Sequence, residues 1–268
     1  MDKATVIGIV LGVLAIGIGL VLKGVSLLAL FNPAAILIIF VGTAASVLIA
    51  FPTDSIKKIP LLIKIIFKED TTYEKREYVD MFSTWANKTR REGILSLEAE
   101  INDVEDPFLA SGLQFAIDGQ SPDFIRDVMI EKIEAMEERH REGISIFRQA
   151  GTYAPTLGVL GAVVGLIAAL GNMEDMTVLG EAISAAFMAT LFGIFSGYVL
   201  WHPFANKLNE KSQREVQIRY LMIEGILSIT IGESPQTLRD KLNSYLSKNE
   251  LVHADQEVVH EQTEEAIE

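Results

Sequence analysis

Residues 150–173, AGTYAPTLGVLGAVVGLIAALGNM, contain no Asp, Glu, Lys or Arg. A helix needs roughly 20 apolar residues to cross the hydrocarbon core of a bilayer, so this stretch predicts a membrane span. Residues 4–22, 24–53 and 182–201 are likewise free of these charged residues. Because backbone groups in lipid must be hydrogen bonded internally, each stretch is expected to be a helix. The sequence therefore predicts an all-α polytopic membrane protein with four transmembrane helices.

The charged residues divide the rest of the chain into parts. We expect a long cytoplasmic helical loop between spans 2 and 3 and a helical C-terminal cytoplasmic region. The last 20 residues carry seven acidic residues and no Lys or Arg, which is typical of a solvated, disordered tail. The predicted parts are spans 1 and 2 in 1–51 (about 4–22 and 33–51), a cytoplasmic helical domain in 52–150, spans 3 and 4 in 151–202 (about 151–170 and 182–201), cytoplasmic C-terminal helices in 203–248 and the acidic tail in 249–268.

Basic residues flank the spans on one side of the predicted membrane. Lysines follow span 2, arginines precede span 3 and both follow span 4, whereas the connection 171–181 has three acidic residues and no Lys or Arg. Positive flanks mark the cytoplasmic side of a bacterial plasma membrane. Both termini and the long loop are therefore predicted to be cytoplasmic.

Capping patterns predict where helices begin outside the membrane. Ser121-Pro122-Asp123 combines a capping hydroxyl, a proline at the first helical position and an early acid. No helix breaker follows until Gly151, so this helix is expected to run on into span 3. Span 4 is expected to continue past Pro203 to Gly232, and Ser234-Pro235 to begin a last short helix. The predicted apolar stripe of the long helix comprises Phe124, Val128, Ile133, Met136, Ile144 and Phe147.

The composition excludes several classes of function. The chain has no cysteine, and its four histidines are scattered without ligand spacing, so no metal site or cofactor is expected. The net charge of −13 argues against binding to nucleic acid. No nucleophile lies beside a base in a pattern that indicates an enzyme, and no catalytic residue is predicted.

The predicted spans contain no carboxylate, lysine, arginine or histidine at membrane depth. Proteins that move protons across a bilayer normally keep such groups there, because they are costly and retained for function. The polar side chains of the spans are limited to hydroxyls such as Thr43, Thr156 and Thr190. Either the chain is not a transporter, or a partner helix supplies the titratable group.

Small residues and prolines add two open questions. Gly8 and Gly12, Gly161 and Gly165, and Gly193 and Gly197 each place two glycines on one helix face. Such faces pack helices closely, either within one chain or between copies in an oligomer. Pro155 and Pro203 interrupt helical hydrogen bonding, which gives either a fixed kink or a hinge.

Four motifs resemble one family of membrane proteins. Tyr153 to Gly161 (YAPTLGVLG) is similar to the start of the third span in the MotA/PomA stator family, part of the MotA/TolQ/ExbB proton channel superfamily. Three further motifs resemble the start of that family's second span, its cytoplasmic charged motif, and its fourth span with the exit. These are Asn32-Pro33-Ala34-Ala35, Arg90 to Glu98 (RREGILSLE), and Thr190-Leu191-Phe192-Gly193 with Trp201 to Ala205 (WHPFA).

The resemblance implies a stator subunit of the bacterial flagellar motor. It implies a pentamer of this chain around two copies of MotB, a single-span, peptidoglycan-anchored partner that carries a protonatable Asp. Proton flow through the complex would drive rotation, and the cytoplasmic loop would push on the rotor protein FliG.

The resemblance also assigns roles to individual residues. By position, Arg90 and Glu98 match the charges that contact the rotor, and they would share a helix face if the segment were helical. Pro155 and Pro203 match prolines that couple protonation to a conformational change. Thr190, Ala162, Ala189 and Thr156 are expected to line the ion pathway. Sodium-driven relatives carry threonine at the positions of Ala162 and Ala189, so the alanines favour protons.

Two alternatives remain at this point. An ExbB/TolQ-like energiser of a cell-envelope process would share the core helices, but such proteins usually have three spans. A non-conducting membrane scaffold would also explain the uncharged spans.

Overall fold

The structure, a computed structural model, describes residues 2–25, 30–69, 75–171 and 173–246. Their regular structure is entirely helical, in agreement with the predicted all-α fold. The helices are α1 (Lys3–Leu22), α2 (Pro33–Ile36), α3 (Gly42–Ala50), α4 (Thr53–Ile56), α5 (Ile59–Phe67), α6 (Lys75–Glu92), α7 (Glu98–Ile101), α8 (Pro107–Ile117), α9 (Pro122–Leu170), α10 (Met176–Phe195), α11 (His202–Thr230) and α12 (Pro235–Asn243). The predicted disordered tail, 249–268, lies outside the described residues.

Three short segments of other helix types interrupt this series. Two are π-helical turns, Leu37–Val41 between α2 and α3 and Ser196–Trp201 between α10 and α11. The third is a 3₁₀ turn, Ile94–Leu97. Both π-helical turns lie within apolar stretches, so each widens a membrane span locally.

Four helical stretches are long and apolar enough to cross a membrane. They are Lys3–Leu22, Pro33–Ala50, Pro122–Leu170 and Met176–Thr230, and we call them spans 1 to 4. The prediction of a polytopic protein with four transmembrane helices is therefore confirmed. Span 1 has no buried residue and is apolar on all sides, so most of its surface is suited to lipid.

Polar caps begin the helices where the sequence predicts them. The Ser121 hydroxyl accepts a hydrogen bond from the Phe124 amide at 3.2 Å, and α9 then continues for 49 residues into the membrane stretch. Ser234 caps α12 by accepting from the Thr237 amide at 3.1 Å. A cap of this kind stabilises a helix by about 1 kcal/mol, because it satisfies an otherwise unpaired amide.

The fourth span begins earlier than the charge pattern suggests. Asp175 accepts from the Thr177 amide at 2.9 Å, and α10 starts at Met176 rather than near 182. Glu181 therefore lies within the first turns of the helix. At the other end, the helix stops at Thr230. Gly232, two residues later, has a φ of 74°, a backbone conformation that favours glycine.

The chain divides into two compact units. One contains the described residues of Met1–Asp70 and Glu138–Lys211, and with them the apolar parts of all four spans. The other contains the described residues of Thr71–Glu137 and Ser212–Glu268. We call them the membrane unit and the loop unit.

The loop unit has one apolar core, formed by α6, α8, α12 and its parts of α9 and α11. Phe82, Ile125 and Met129 are fully buried in it. Burying one such side chain contributes about 1.5–3 kcal/mol, so this core accounts for the folding of the unit. The predicted stripe was wrong in the first turns of α9, where Ile125 and Met129 are buried and Phe124 is 43% exposed. Phe124 instead contacts Phe115 edge to face, which explains its position.

Candidate functional site

Spans 3 and 4 are in direct backbone contact in the middle of the membrane unit. A Cβ atom at position 158 would lie 2.9 Å from the Gly193 Cα atom. In the opposite direction, a Cβ at position 193 would lie 2.7 Å from the Ala154 carbonyl oxygen. No side chain other than hydrogen fits at either position, so the two glycines set the spacing of this helix pair.

The glycine pairs found in the sequence pack mostly inside the chain. Gly161 and Gly165 face the methyl groups of Ala189 and Ala186, each 3.0 Å from the position of an added Cβ. Gly12 faces Val199 of span 4, whereas an added Cβ at Gly8 would meet nothing within 4 Å. These motifs therefore hold one chain together and are not evidence for an oligomer.

The four residues predicted to line an ion pathway occupy different environments. Thr156 is exposed, on the side of span 3 away from Gly158 and Gly161, while Ala162 and Thr190 are half-buried. Ala189 is only 1% exposed, because its methyl group packs against span 3. Thr156 is therefore available to a partner helix, whereas Ala189 packs between spans of the same chain.

The hydroxyl groups of Thr156 and Thr190 bond to their own helices. Thr156 donates to the Thr152 carbonyl at 3.3 Å and Thr190 to the Ala186 carbonyl at 3.4 Å. Each hydroxyl oxygen keeps lone pairs that can accept a hydrogen bond from water. A pathway lined by such groups can solvate a proton carrier, but it holds no titratable carboxylate of its own.

Of the two predicted prolines, Pro155 packs against span 4. Pro155 has no amide hydrogen, so the Gly151 carbonyl loses its usual helical donor. Gly197, in the π-helical turn of span 4, sits against both groups: an added Cβ there would lie 2.8 Å from the Gly151 oxygen and 2.7 Å from the Pro155 Cγ. The kink of one span is therefore packed into the widened turn of the other.

Pro203 acts on span 4 in a similar way. It removes the donor for the Val199 carbonyl, which lies inside the π-helical turn Ser196–Trp201. His202, the preceding residue, covers Gly151, since an added Cβ on that glycine would meet the imidazole ring at 2.8 Å. Pro155 and the residue before Pro203 thus each contact a glycine of the other span, whereas Pro203 itself is exposed.

The predicted rotor-contact charges lie in the loop unit and not on one helix. Arg90 is in the last turn of α6, and Glu98 is the first residue of α7. Between them Gly93 has a φ of 83° and begins the 3₁₀ turn Ile94–Leu97. Arg90 and Glu98 would share a helix face only if the segment were one helix, and this condition is not met, because a backbone conformation that favours glycine ends α6.

Arg90 and Glu98 are nevertheless both exposed and without an ion pair among the described residues. Their neighbours Lys88 and Glu100 pair with each other at 2.5 Å. This hydrogen bond lowers the pKa of Glu100 and raises that of Lys88, so both remain charged near neutral pH. Arg90 and Glu98 are therefore among the charges of this motif that a partner can reach, together with the exposed Arg91 and Glu92.

Several residues at these sites were not predicted. Gly151 and His202 carried no local signal, because their importance arises from a contact between two spans. Only the π-helical turn before Pro203 had a signal in the sequence, namely that proline. Glycine spacing at 158, 161 and 165 was the signal that could have located the contact of spans 3 and 4.

Comparison with known protein families identifies two matching models. Residues 6–93 match the family described as motility protein A N-terminal. Residues 100–220 match the MotA/TolQ/ExbB proton channel family. The first match includes most of span 1, all of span 2 and the start of the charged motif, and the second includes the membrane stretches of spans 3 and 4.

Individual proteins are similar over almost the whole chain. Motility protein A of Bacillus subtilis is 59% identical over 96% of this chain and 95% of its own. A solved chain in the flagellar MotAB stator complex from Bacillus subtilis has a TM-score of 0.90, 58% identity, and coverage of 94% of this chain and 99% of its own. A chain of C. jejuni MotAB has a TM-score of 0.88 at 31% identity and covers 92% of this chain and 97% of its own.

The relatives and the fold agree with the site geometry. The chain has four spans and a separate charged unit. Spans 3 and 4 are packed through glycines, with one proline in span 3 and another beyond the apolar stretch of span 4. The chain is also similar in length to its relatives. The chain therefore belongs to the MotA/TolQ/ExbB proton channel family, and within it to the motility protein A group.

Proposed function

We propose that this chain is the stator subunit of a bacterial flagellar motor and forms a proton-conducting complex with a MotB-type partner. The observation that carries the proposal is that the stretches 4–22, 33–51, 151–170 and 182–201 contain no Asp, Glu, Lys, Arg or His, although their side chains include hydroxyl groups. Such a channel wall needs a carboxylate from another chain. Both solved relatives are named as MotAB complexes, which supports a MotB-type partner for this chain.

The assembly that we propose is a pentamer of this chain around two single-span partners anchored to peptidoglycan. Thr156 and the exposed apolar surface around it would face the partner helices, and Ala162 and Thr190 would border the pathway. Pro155 and Pro203 would couple protonation of the partner to movement of the turns around Gly197. The contacts of Pro155 with Gly197 and of His202, the residue before Pro203, with Gly151 support this role.

The proposed orientation follows the basic flanks. We place the chain in the plasma membrane with both termini and the loop unit in the cytoplasm, since the lysines and arginines cluster at one end of the spans. The loop unit would then meet the cytoplasmic rotor protein FliG. An ExbB/TolQ-like role is disfavoured by the match of residues 6–93 to the motility protein A N-terminal model, and a passive scaffold by the membership of a channel family.

Charge reversal at the rotor contact tests the proposal. We expect Arg90→Glu and Glu98→Lys each to reduce swimming speed strongly, because an unpaired charge that meets an opposite charge on the rotor becomes repulsive. Swimming speed and membrane content of the chain are measured in the same cells. Membrane content should not change, since both residues are exposed and make no ion pair within the described chain.

Arg126→Glu provides the matched control for Arg90→Glu. Arg126 is exposed on α9 of the same unit, so its reversal changes the net charge by the same amount as Arg90→Glu without altering the proposed contact. Normal swimming in both the Arg90 and the Glu98 variant would remove these residues from the rotor contact.

The choice of ion can be tested separately. With alanine at 162 and 189, we expect swimming speed to be independent of sodium at a fixed proton-motive force, because a methyl group cannot replace water around sodium. Speed is recorded over a range of sodium concentrations, with potassium replacing sodium to hold ionic strength constant. A steep dependence on sodium would contradict the assignment of protons.

A further inference from the structure

Helix α5 lies at the boundary where several spans reach the same membrane surface. It begins shortly after span 2 ends at Ala50, and its last carbonyl, that of Phe67, accepts a hydrogen bond from the Asp2 amide at 2.9 Å. Asp2 is the residue that caps span 1. The C-terminal end of α5 is thus bonded to the start of span 1, and its other end follows span 2 after one short helix. We therefore place α5 at the depth of lipid headgroups.

One side of α5 is held by the protein. Ile66 is fully buried, and Leu62 packs against Gly143 of α9, where an added Cβ would lie 3.1 Å from the leucine methyl groups. The segment before α5 is also fixed, because the Ser55 hydroxyl donates to the Glu142 carboxylate and Lys58 pairs with the same carboxylate at 2.9 Å. The hydrogen bonds from Ser55 and Lys58 lower the pKa of Glu142, so the carboxylate stays ionised between these two residues.

The opposite side of α5 is exposed and basic. Leu61 is 59% exposed and shares this side with Lys64 and Lys68, which follow it by three and seven residues. Ile63 adds a second partly exposed apolar side chain at 40%. A helix with lysines and exposed aliphatic residues beside the spans has the composition of an interfacial anchor.

The acidic residues at this boundary neutralise only some of the lysines. The ion pairs that the structure contains here include Lys57 with Asp54, Lys58 with Glu142 and Lys207 with Asp2. Lys3, Lys64 and Lys68 have no ion pair with any described residue. The Lys211 ammonium lies close by and donates to the Lys68 carbonyl at 2.7 Å. Lys68 is the residue directly after α5, four positions beyond Lys64. Two lysines this close along the chain repel each other unless an anion compensates.

We infer that the exposed side of α5 binds the headgroups of anionic phospholipids through Lys64 and Lys68, with Lys3 beside them. The compensating anion is a lipid phosphate because the lysines sit at the ends of the spans, where headgroups are concentrated, and because Leu61 and Ile63 can enter the acyl boundary. The inference requires only the membrane spans and is independent of the stator function. On this inference, α5 holds the neighbouring ends of the spans at a fixed depth in the membrane.

Lipid retention by the full-length chain tests the inference. The chain is extracted from membranes of equimolar phosphatidylglycerol and phosphatidylcholine, and the two lipids retained per chain are quantified after washing in detergent. We expect enrichment of phosphatidylglycerol in the parent chain. A lysine near an anionic surface contributes about 1 kcal/mol, or roughly fivefold in affinity, so a Lys64→Gln, Lys68→Gln double variant should lose most of this enrichment.

Lys57→Gln is the matched control, since Lys57 lies on the same boundary but pairs with Asp54 at 3.0 Å. It should retain nearly the parental enrichment. Equal enrichment in the parent and the double variant would overturn the inference, as would equal losses in the double variant and the control. Full displacement of phosphatidylglycerol by inorganic phosphate would also overturn it, by indicating a site for soluble anions.

Discussion

Replacing Gly193 by valine is expected to prevent accumulation of the folded chain in the membrane. Every atom added at this position meets the backbone of span 3, at 2.7 Å from the Ala154 oxygen and 2.8 Å from the Gly158 Cα. A backbone cannot move aside as a flexible side chain can, so the cost should lie at or above the upper end of the ~1–3 kcal/mol typical of overpacking. The Tm of the purified chain in detergent and its amount in membranes measure this effect.

Gly8→Val is the matched control for this experiment. Gly8 is a glycine of the same spacing motif in span 1, but an added Cβ there meets nothing within 4 Å. The Gly8→Val variant should therefore have almost the same Tm as the parent chain. A Gly193 variant with parental Tm and parental abundance would contradict the backbone contact described here.

The purified chain without its partner is expected to pass no protons in liposomes. Its predicted spans lack carboxylates, lysines, arginines and histidines at membrane depth, so no side chain can carry a proton across the hydrocarbon core. One charge crossing 100 mV releases about 2.3 kcal/mol, so even slow leakage would waste energy needed for rotation. A pH-sensitive dye inside the liposomes measures flux after a potential is imposed.

Liposomes that contain this chain together with a MotB-type partner provide the comparison. Proton entry is expected only in these liposomes, and it should disappear when the partner's membrane Asp is replaced by Asn. Measurable flux through the chain alone would refute the proposal that two kinds of subunit share the pathway.

The sequence was sufficient to predict the spans and the long helices. Uncharged stretches of sufficient length leave few alternatives to a transmembrane helix. Ser121-Pro122 and Ser234-Pro235 were also reliable, because capping depends on neighbouring residues alone. Local signals of this kind do not depend on which helices later come into contact.

Features that depend on tertiary contacts could not be predicted. The side of α9 that is buried differs by one residue near Ile125 and Met129, since packing within the loop unit decides between adjacent apolar residues. Gly93 ends α6 through a positive φ that the sequence permits but does not require. The contact of Gly151 with His202 joins residues far apart in the chain, so no local pattern could indicate it.

The contact between Gly158 and Gly193 limits which parts of the membrane unit can change shape. Two backbones that touch cannot slide along each other without first separating, and separation would expose peptide groups to lipid or leave a void. Spans 3 and 4 therefore move as one stiff body at this level. We expect elastic deformation during a transport cycle to be taken up in the adjacent π-helical turn of span 4, Ser196–Trp201, where the hydrogen bonding already departs from that of an α-helix.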